Sequence, residues 1–245
     1  MIKLYYSLDT EYDGLLAYFT FENEEDGLIG GFAKANPTGE VVLSTDSVSG
    51  KSLYLDGTGS NYLDVTDMYG QSLLTGIEEF TVSFYSKVNT TNASWPFFAS
   101  PNSNSQTYQY EKYLGVLEQN NSVVIERYNN QGQRSETIST PSQMGWKHIA
   151  VVFGKNGTTL YINGYPTSMA NATDIKELLK DNSILYIGKA TWNAGEYFNG
   201  YLDEYKIFDY ALSRDEVTKM ATRRNVTINY VTVDGDLIKS ETKAS

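Results

Sequence analysis

Carboxylates are the side chains through which this chain could do acid–base chemistry, and their spacing argues against it. Hydrolysis of a sugar acetal needs two carboxylates on one face, flanking a single bond. Asp203 and Glu204 are adjacent, so on a strand they point to opposite faces. Glu118 and Glu126 fall on separate expected strands and meet only if the fold brings them together. A serine–histidine–acid site would have to use His148, the single histidine of the chain, yet His148 stands in the apolar string His148-Ile149-Ala150-Val151-Val152, where a packed, hydrogen-bonded imidazole is expected. With no cysteine at all, thiol catalysis, disulfides and thiolate metal sites are excluded. Gly50-Lys51-Ser52 echoes the end of a phosphate loop, but Thr45 stands where the first glycine is required and no helix follows. Catalysis by this chain is therefore not expected.

Aromatic residues in turn-rich contexts suggest binding instead. Tyr and Trp offer large flat area at low rotamer entropy and carry a polar tip, which suits the apolar face of a sugar ring. Candidates are Trp95 beside Pro96, Tyr108 and Tyr110 after the polar loop 102–106, and Trp192, Asn193 and Tyr197 in the segment 191–198. Trp192 in Thr191-Trp192-Asn193-Ala194-Gly195 has no periodic reason to be buried. It is the foremost expected ligand contact, with Tyr197 and Asn193 at its rim. The competing reading has Trp192 covering the edge of a core. Strand tyrosines such as Tyr18, Tyr54 and Tyr161 are expected in the interior.

Charge narrows the partners. Lys plus Arg is 19 and Asp plus Glu is 30, so the 245-residue chain carries 19 − 30 = −11. Binding phosphate needs a basic surface, so nucleic acid and anionic membrane are not expected partners, whereas cations are. No apolar run approaches a membrane span, and positions 1–10 lack the core of a signal peptide.

The elements that must position these residues are strands. Short alternating or apolar runs recur at 15–21, 52–55, 62–65, 80–88, 95–99, 110–118, 122–128, 146–153, 158–162, 184–187 and 201–208, separated by Gly, Asn, Asp and Ser. In Phe80–Val88, Phe80, Val82 and Phe84 share one face while Thr81, Ser83 and Tyr85 share the other. Asn163-Gly164 and Asn156-Gly157 supply tight hairpin turns. Ser213-Arg214-Asp215-Glu216 is a capping box that predicts a helix through Ala221, and Asp174 caps a second short one. The pattern predicts an all-β, two-sheet antiparallel sandwich with one or two short peripheral helices. After Arg223-Arg224 the sequence restarts as a hairpin, 226–231 and 237–238. Residues 1–222 are therefore expected as one domain, and 223–245 as an extension. That extension either docks on the sandwich edge or opens a following domain.

Specific strings carry a resemblance. Trp146-Lys147-His148-Ile149-Ala150-Val151-Val152-Phe153 followed by Leu160-Tyr161-Ile162-Asn163-Gly164 resembles the central hairpin of laminin-G-like jelly rolls of the concanavalin A-like lectin/glucanase superfamily. Gly50–Gly57 with Tyr62–Val65 resembles its early strand pair, and Phe80–Tyr85 its FTVSFW strand, with Tyr for Trp. Phe198-Asn199-Gly200-Tyr201-Leu202-Asp203-Glu204 resembles the late strand, and Ala211-Leu212-Ser213 the ending. The tail resembles the first hairpin of β-grasp repeats in bacterial surface proteins. The resemblance implies a jelly roll over about 15–221, with Trp146 filling the space between the sheets and Phe153 inside. The Glu-x-Asp-x-x-Glu strand of the family's glucanases is not found; Glu11-Tyr12-Asp13 comes nearest, but Leu16 stands at its last position.

The resemblance also implies a structural calcium where the first strand ends against the late Asp-Glu strand, at Glu22, Asn23 and Asp203, with Asp46 joining from the 44–50 loop. The alternative for Glu22, Glu24, Glu25 and Asp26 is a solvated acidic loop. The function it implies is a non-catalytic, lectin-like module binding an oligo- or polysaccharide, monomeric within a larger secreted or surface-attached bacterial glycosidase or adhesin. The alternative is a protein-binding or spacer domain. An extracellular location follows if the sequence is a segment cut from a longer chain.

Overall fold

The structure, a computed structural model, describes residues 13–101, 112–128, 134–192, 196–222, 225–231 and 237–244. The strands are β1 (Leu15–Phe19), β2 (Ile29–Gly30), β3 (Ala33–Thr38), β4 (Val42–Ser44), β5 (Ser52–Asp56), β6 (Tyr62–Asp67), β7 (Phe80–Val88), β8 (Ser94–Ser100) and β9 (Leu114–Gln119). They continue with β10 (Ser122–Tyr128), β11 (Arg134–Pro141), β12 (Lys147–Gly154), β13 (Gly157–Ile162), β14 (Tyr165–Ala170), β15 (Ile184–Ile187), β16 (Asn199–Phe208), β17 (Asn225–Val231) and β18 (Leu237–Ala244). Two helices, α1 (Ile175–Leu178) and α2 (Arg214–Ala221), complete the set with one 3-10 turn at Asp26–Leu28.

The strands form two antiparallel sheets. The first runs β14-β13-β12-β7-β16-β5-β4, with β1 also on β16; the second runs β11-β10-β9-β8-β15-β6-β3-β2. Among the described residues β17 and β18 pair with each other as a separate two-stranded sheet. The Asn163-Gly164 turn joins β13 to β14 with both residues at positive φ, 52° and 81°, as a two-residue hairpin requires.

Period-2 alternation builds the core. Phe80, Val82 and Phe84 of β7, Ile149, Val151 and Phe153 of β12 and Leu202 of β16 face Phe97, Val116, Ile125 and Leu185 of the second sheet. Phe80 stacks on Phe153 at 4.7 Å, and Phe84 on Tyr205 at 5.0 Å. α1 adds Ile175 and Leu178 to this core, its N-cap Asp174 accepting the Glu177 amide as the cap pattern predicts. The capping box of α2 is formed between Ser213 and Glu216. α2 and the segment before it then lay Val217 and Leu212 over Ala150, Val152 and Tyr161 on the outer face of the first sheet.

Trp146 is not between the sheets. Lys147, Ile149, Val151 and Phe153 take the inward positions of β12, so Trp146, one residue before Lys147, is thrown outward by the same period and is half-buried. Phe153 is inside as expected. Tyr18, Tyr54 and Tyr161 likewise belong to outer faces; Tyr161 is covered there, while Tyr18 and Tyr54 are half-buried.

β16 changes partner along its length. Asn199–Leu202 pair with β5 and Tyr205–Phe208 with β1, with β7 on the other side throughout. The change falls at a bulge between Asp203 and Lys206, where Glu204 takes a φ of 51°. A bulge of this kind interrupts a ladder and re-aims its side chains.

Candidate functional site

Glu118 and Glu126 do not converge. On β9, Glu118 continues the inward series of Leu114 and Val116, whereas Glu126 on β10 alternates with the inward Val123 and Ile125 and faces outward. Glu118 is instead buried against Lys147, whose Nζ lies 2.6 Å from its Oε2, and it accepts the Ser86 hydroxyl. His148 is buried, its Nε2 2.8 Å from Ser83 Oγ, and burial pushes its imidazole down to about 3, so it stays neutral. Its Nδ1 has no hydrogen-bond partner, so no acid orients it. Glu118 and Glu126 are therefore not placed together on one face for acetal hydrolysis.

The outer face of the second sheet holds the strongest constellation. Register pairs place Glu126 of β10 beside Gly115 of β9, Gly115 beside Phe98 of β8, Phe98 beside Tyr186 of β15, Tyr186 beside Asp64 of β6, and Asp64 beside Asn36 of β3. Each residue of this row alternates with core positions, so all six face outward.

One end of the row is covered. Trp95, Phe98, Tyr113 and Trp192 pack edge-to-face or stacked, with Trp95 and Trp192 5.5 Å apart at 85°. Both indole N–H groups donate to Glu196 Oε2, at 2.9 and 3.2 Å, and Tyr113 donates its hydroxyl to Glu126 at 2.7 Å. Gly115 is required here: a Cβ on it would fall 2.2 Å from the Trp95 ring. Trp192 is thus not an exposed platform. It is 8% exposed and Trp95 1%, because each indole needs both ring neighbours and a hydrogen-bond acceptor, and Glu196 supplies the acceptor to both. Tyr197 is half-buried, its ring over Gly59. Tyr108, Tyr110 and Asn193 lie outside the described residues.

The other end of the row is half-open. Tyr62 and Tyr186 meet edge-on at 5.6 Å, and the Lys189 ammonium sits over both rings, at 4.5 and 5.1 Å. Asp64 lies beside Tyr186, its carboxyl raised above the ordinary value by burial and drawn back by Lys189. Burial, with Asp64 second, pushes the Tyr186 hydroxyl up to about 12, so it remains a donor. The Asn36 amide donates to the Asp64 carbonyl and to Thr66, both at 3.0 Å. Flat rings, an ammonium, a carboxyl and a carboxamide on one face are the groups that grip a polyol. Sequence patterning did not single out these residues, because Tyr62, Asp64, Tyr186 and Asn36 read only as the polar alternates of ordinary strands.

Of the four residues nominated for calcium, two bond to one loop through their side chains, Asp203 at Val48 and Ser49 and Glu22 at Lys51. Asp203 is fully buried at the bulge; Oδ2 accepts the amides of Val48 and Ser49 at 2.7 and 2.9 Å, and Oδ1 that of Glu204. Burial raises its carboxyl to about 7, the amides opposing. Glu22 reaches the same loop from the first strand, accepting the Lys51 amide at 3.1 Å, and its carboxylate occupies the space a Cβ on Gly50 would fill. Asn23 and Asp46 do not join them. Asn23 caps the amides of Glu25 and Asp26 in its own turn, and Asp46 is taken by the Lys87 ammonium and the Trp146 indole. Among the described residues no group of three or more acidic or imidazole side chains is placed to hold a metal. A cation between Glu22 and Asp203 would thus need backbone and water oxygens for most of its shell, which calcium's six to eight oxygens permit.

This chain is similar in fold to known proteins. Residues 56–218 match the laminin G family described as the concanavalin A-like lectin/glucanases superfamily. The chain belongs to this family. Similar solved structures include domain 4 of AbnA, a GH43 extracellular arabinanase from Geobacillus stearothermophilus, in complex with arabinotriose. It is 18% identical, with a TM-score of 0.62 over 85% of this chain and 98% of that one. The binding domain of Paraclostridial Mosquitocidal Protein 1 is 18% identical with a TM-score of 0.61, over 85% of this chain and 52% of that one. The botulinum neurotoxin serotype G binding domain is 12% identical with a TM-score of 0.62, over 84% of this chain and 50% of that one. This chain spans about half the length of those two binding domains. No curated protein matches its sequence. At these identities the solved structures establish the jelly-roll fold, and the family match places the chain among lectin-like domains.

Proposed function

We propose that this chain is a non-catalytic glycan-binding module whose site is the half-open end of the row on the second sheet. The observation that carries the reading is the Tyr62–Tyr186 pair, with Lys189 over both rings and Asp64 and Asn36 alongside. A sugar's axial C–H face stacks on a tyrosine ring, while the ammonium, carboxyl and carboxamide exchange hydrogen bonds with its hydroxyls. The arabinotriose held by a relative of the same fold supports a short neutral oligosaccharide as first probe. Such a module would tether an extracellular bacterial protein to its polysaccharide. A calcium held by Glu22 and Asp203 with backbone oxygens of the 46–50 loop would serve structurally, pinning first strand, loop and late strand together.

Isothermal titration against arabino-, xylo- and cello-oligosaccharides tests the reading. Tyr186→Ala should weaken binding about tenfold or more while the melting temperature stays within a few degrees. Unchanged affinity in that variant removes the site.

A protein-binding role has one observation of its own. Phe32, Met68 and Tyr69 are 70%, 50% and 88% exposed, and the Met68 amide donates to the Phe32 carbonyl at 3.1 Å, so they share one end of the second sheet. A patch of this kind marks a contact surface, and pull-down with Phe32→Ser as control separates it from the glycan site.

A further inference from the structure

The outer face of the first sheet is only partly covered by α2. Toward β5 and β4 it carries a second register row: Val42 of β4 beside Tyr54 of β5, Tyr54 beside Tyr201 of β16, and Tyr201 beside Lys87 of β7. Tyr54 and Tyr201 lie 5.0 Å apart at 40°, and Trp146 lies 6.3 Å from Tyr201, so three half-buried rings form one continuous floor. Asp46 stands at its rim. Its carboxylate accepts the Trp146 indole N–H at 2.9 Å and pairs with the Lys87 ammonium, which also lies 5.4 Å from the centre of the Tyr201 ring. Those bonds, the one from Lys87 foremost, hold the Asp46 carboxyl below its ordinary value. None of these five residues belongs to the row on the second sheet.

We propose that Tyr54, Tyr201 and Trp146, with Asp46 and Lys87, form a second carbohydrate subsite on the face opposite the first. The ligand class is an uncharged pyranose or furanose ring. Lys87 and Asp46 neutralise each other, so in a chain of net charge −11 this patch favours neither an anion nor a cation. Their pairing nevertheless leaves hydrogen-bond capacity on both, since an ammonium has three donors and a carboxylate about four acceptor positions. Floor and rim together match one face of one or two sugar rings: C–H groups on the tyrosines, hydroxyls at Asp46 and Lys87. The proposal rests on the reading of the chain as a glycan binder but on a separate set of residues. A module with two such faces would cross-link polysaccharide strands, or bind one polymer with an avidity beyond that of either site.

Trp146 makes the test selective. Trp95 and Trp192 are buried, so Trp146 is the tryptophan open to a small quencher. The full chain is titrated with arabinotriose, xylotriose and cellotriose while acrylamide quenching and calorimetric stoichiometry are followed. At least one sugar should protect Trp146, with about two sites per chain in calorimetry. Tyr201→Ala should remove the protection and reduce the stoichiometry to about one, leaving the site dependent on Tyr186 intact. Tyr186→Ala should do the reverse. Asp46→Asn and Lys87→Met serve where Tyr201→Ala lowers the melting temperature, and should weaken the same site about tenfold. If no sugar protects Trp146, or Tyr201→Ala leaves stoichiometry unchanged while Tyr186→Ala abolishes it, the second subsite is overturned and the first stands. Loss of all binding in every arm overturns both. Light scattering of a dimer with Trp146 shielded before sugar is added assigns the patch to a second copy of the chain and overturns the subsite.

Discussion

Glu118 and Lys147 face each other across the interior of the sandwich, one from each sheet, 2.6 Å apart with both side chains 3% exposed. Ser86 of the first sheet donates its hydroxyl to the same carboxylate. An ion pair so deep recovers its desolvation only through the partner, and removing one partner strands the other charge.

Lys147→Met should therefore destabilise the chain by about 3–5 kcal/mol, and Glu118→Leu by a similar amount. The double variant should lose less than either single one, because apolar replacement of both charges restores a satisfied interior. Urea denaturation of the three variants measures this. Single variants within about 1 kcal/mol of the parent would show that the pair is solvated.

Trp192 should behave as a core residue. Trp192→Ala is expected to cost about 3–5 kcal/mol, and Gly115→Ala to displace the Trp95 ring that its Cβ would strike. The indole near-ultraviolet circular dichroism should collapse in both. Loss of sugar affinity in Trp192→Ala at an unchanged melting temperature would return that ring to the surface.

Stability should fall on acidification through His148. Its imidazole is neutral in the fold down to about 3, whereas in the unfolded chain it protonates near 6.5. Between those values the unfolded state binds the extra proton. This group's contribution is then complete above about pH 6.5 and declines at up to about 1.4 kcal/mol per pH unit below it. His148→Gln should flatten the pH dependence of urea midpoints in that window. An identical slope in the variant would falsify the assignment.

Calcium, if Glu22 and Asp203 hold it, should raise the melting temperature, by about 2.7 kcal/mol of stability at a hundredfold excess over Kd. Chelator should reverse the gain, and Asp203→Asn should remove the response, while Asn23→Ala and Asp46→Asn should leave it in place. A melt indifferent to calcium and chelator alike sinks the site.

Local rules were legible in the residues. The alternation of Phe80–Val88, the Asn163-Gly164 turn and the Ser213–Glu216 capping box each depend on neighbours within a few positions, and each is formed as its pattern requires. The family strings place the late strand and the central hairpin for the same reason. Strands without apolar alternation were not legible. β3 reads Ala-Lys-Ala-Asn-Pro-Thr; its core side chains are the small Ala33 and Ala35, and its Pro37 stands opposite Leu63 of β6, beyond the stretch that β2 covers. β14 lies at the end of the first sheet with Tyr165 and Met169 exposed, so it carries no buried face to announce it.

Composition and spacing by themselves excluded thiol chemistry, offered no paired-carboxylate strand motif, and pointed to a tyrosine-rich β-sandwich. Tertiary structure decided which of those groups meet. Trp192 is covered and Trp146 is half-open, the reverse of what their local contexts suggest, because burial depends on what the fold lays over a residue. Glu118 and Glu126 part to opposite faces, while Glu22 and Asp203, far apart in sequence, converge on one loop. The row from Glu126 to Asn36 draws on six strands. Period-2 patterning tells each strand which face a side chain takes, but the register that aligns one strand's face with the next is set by contacts between distant segments.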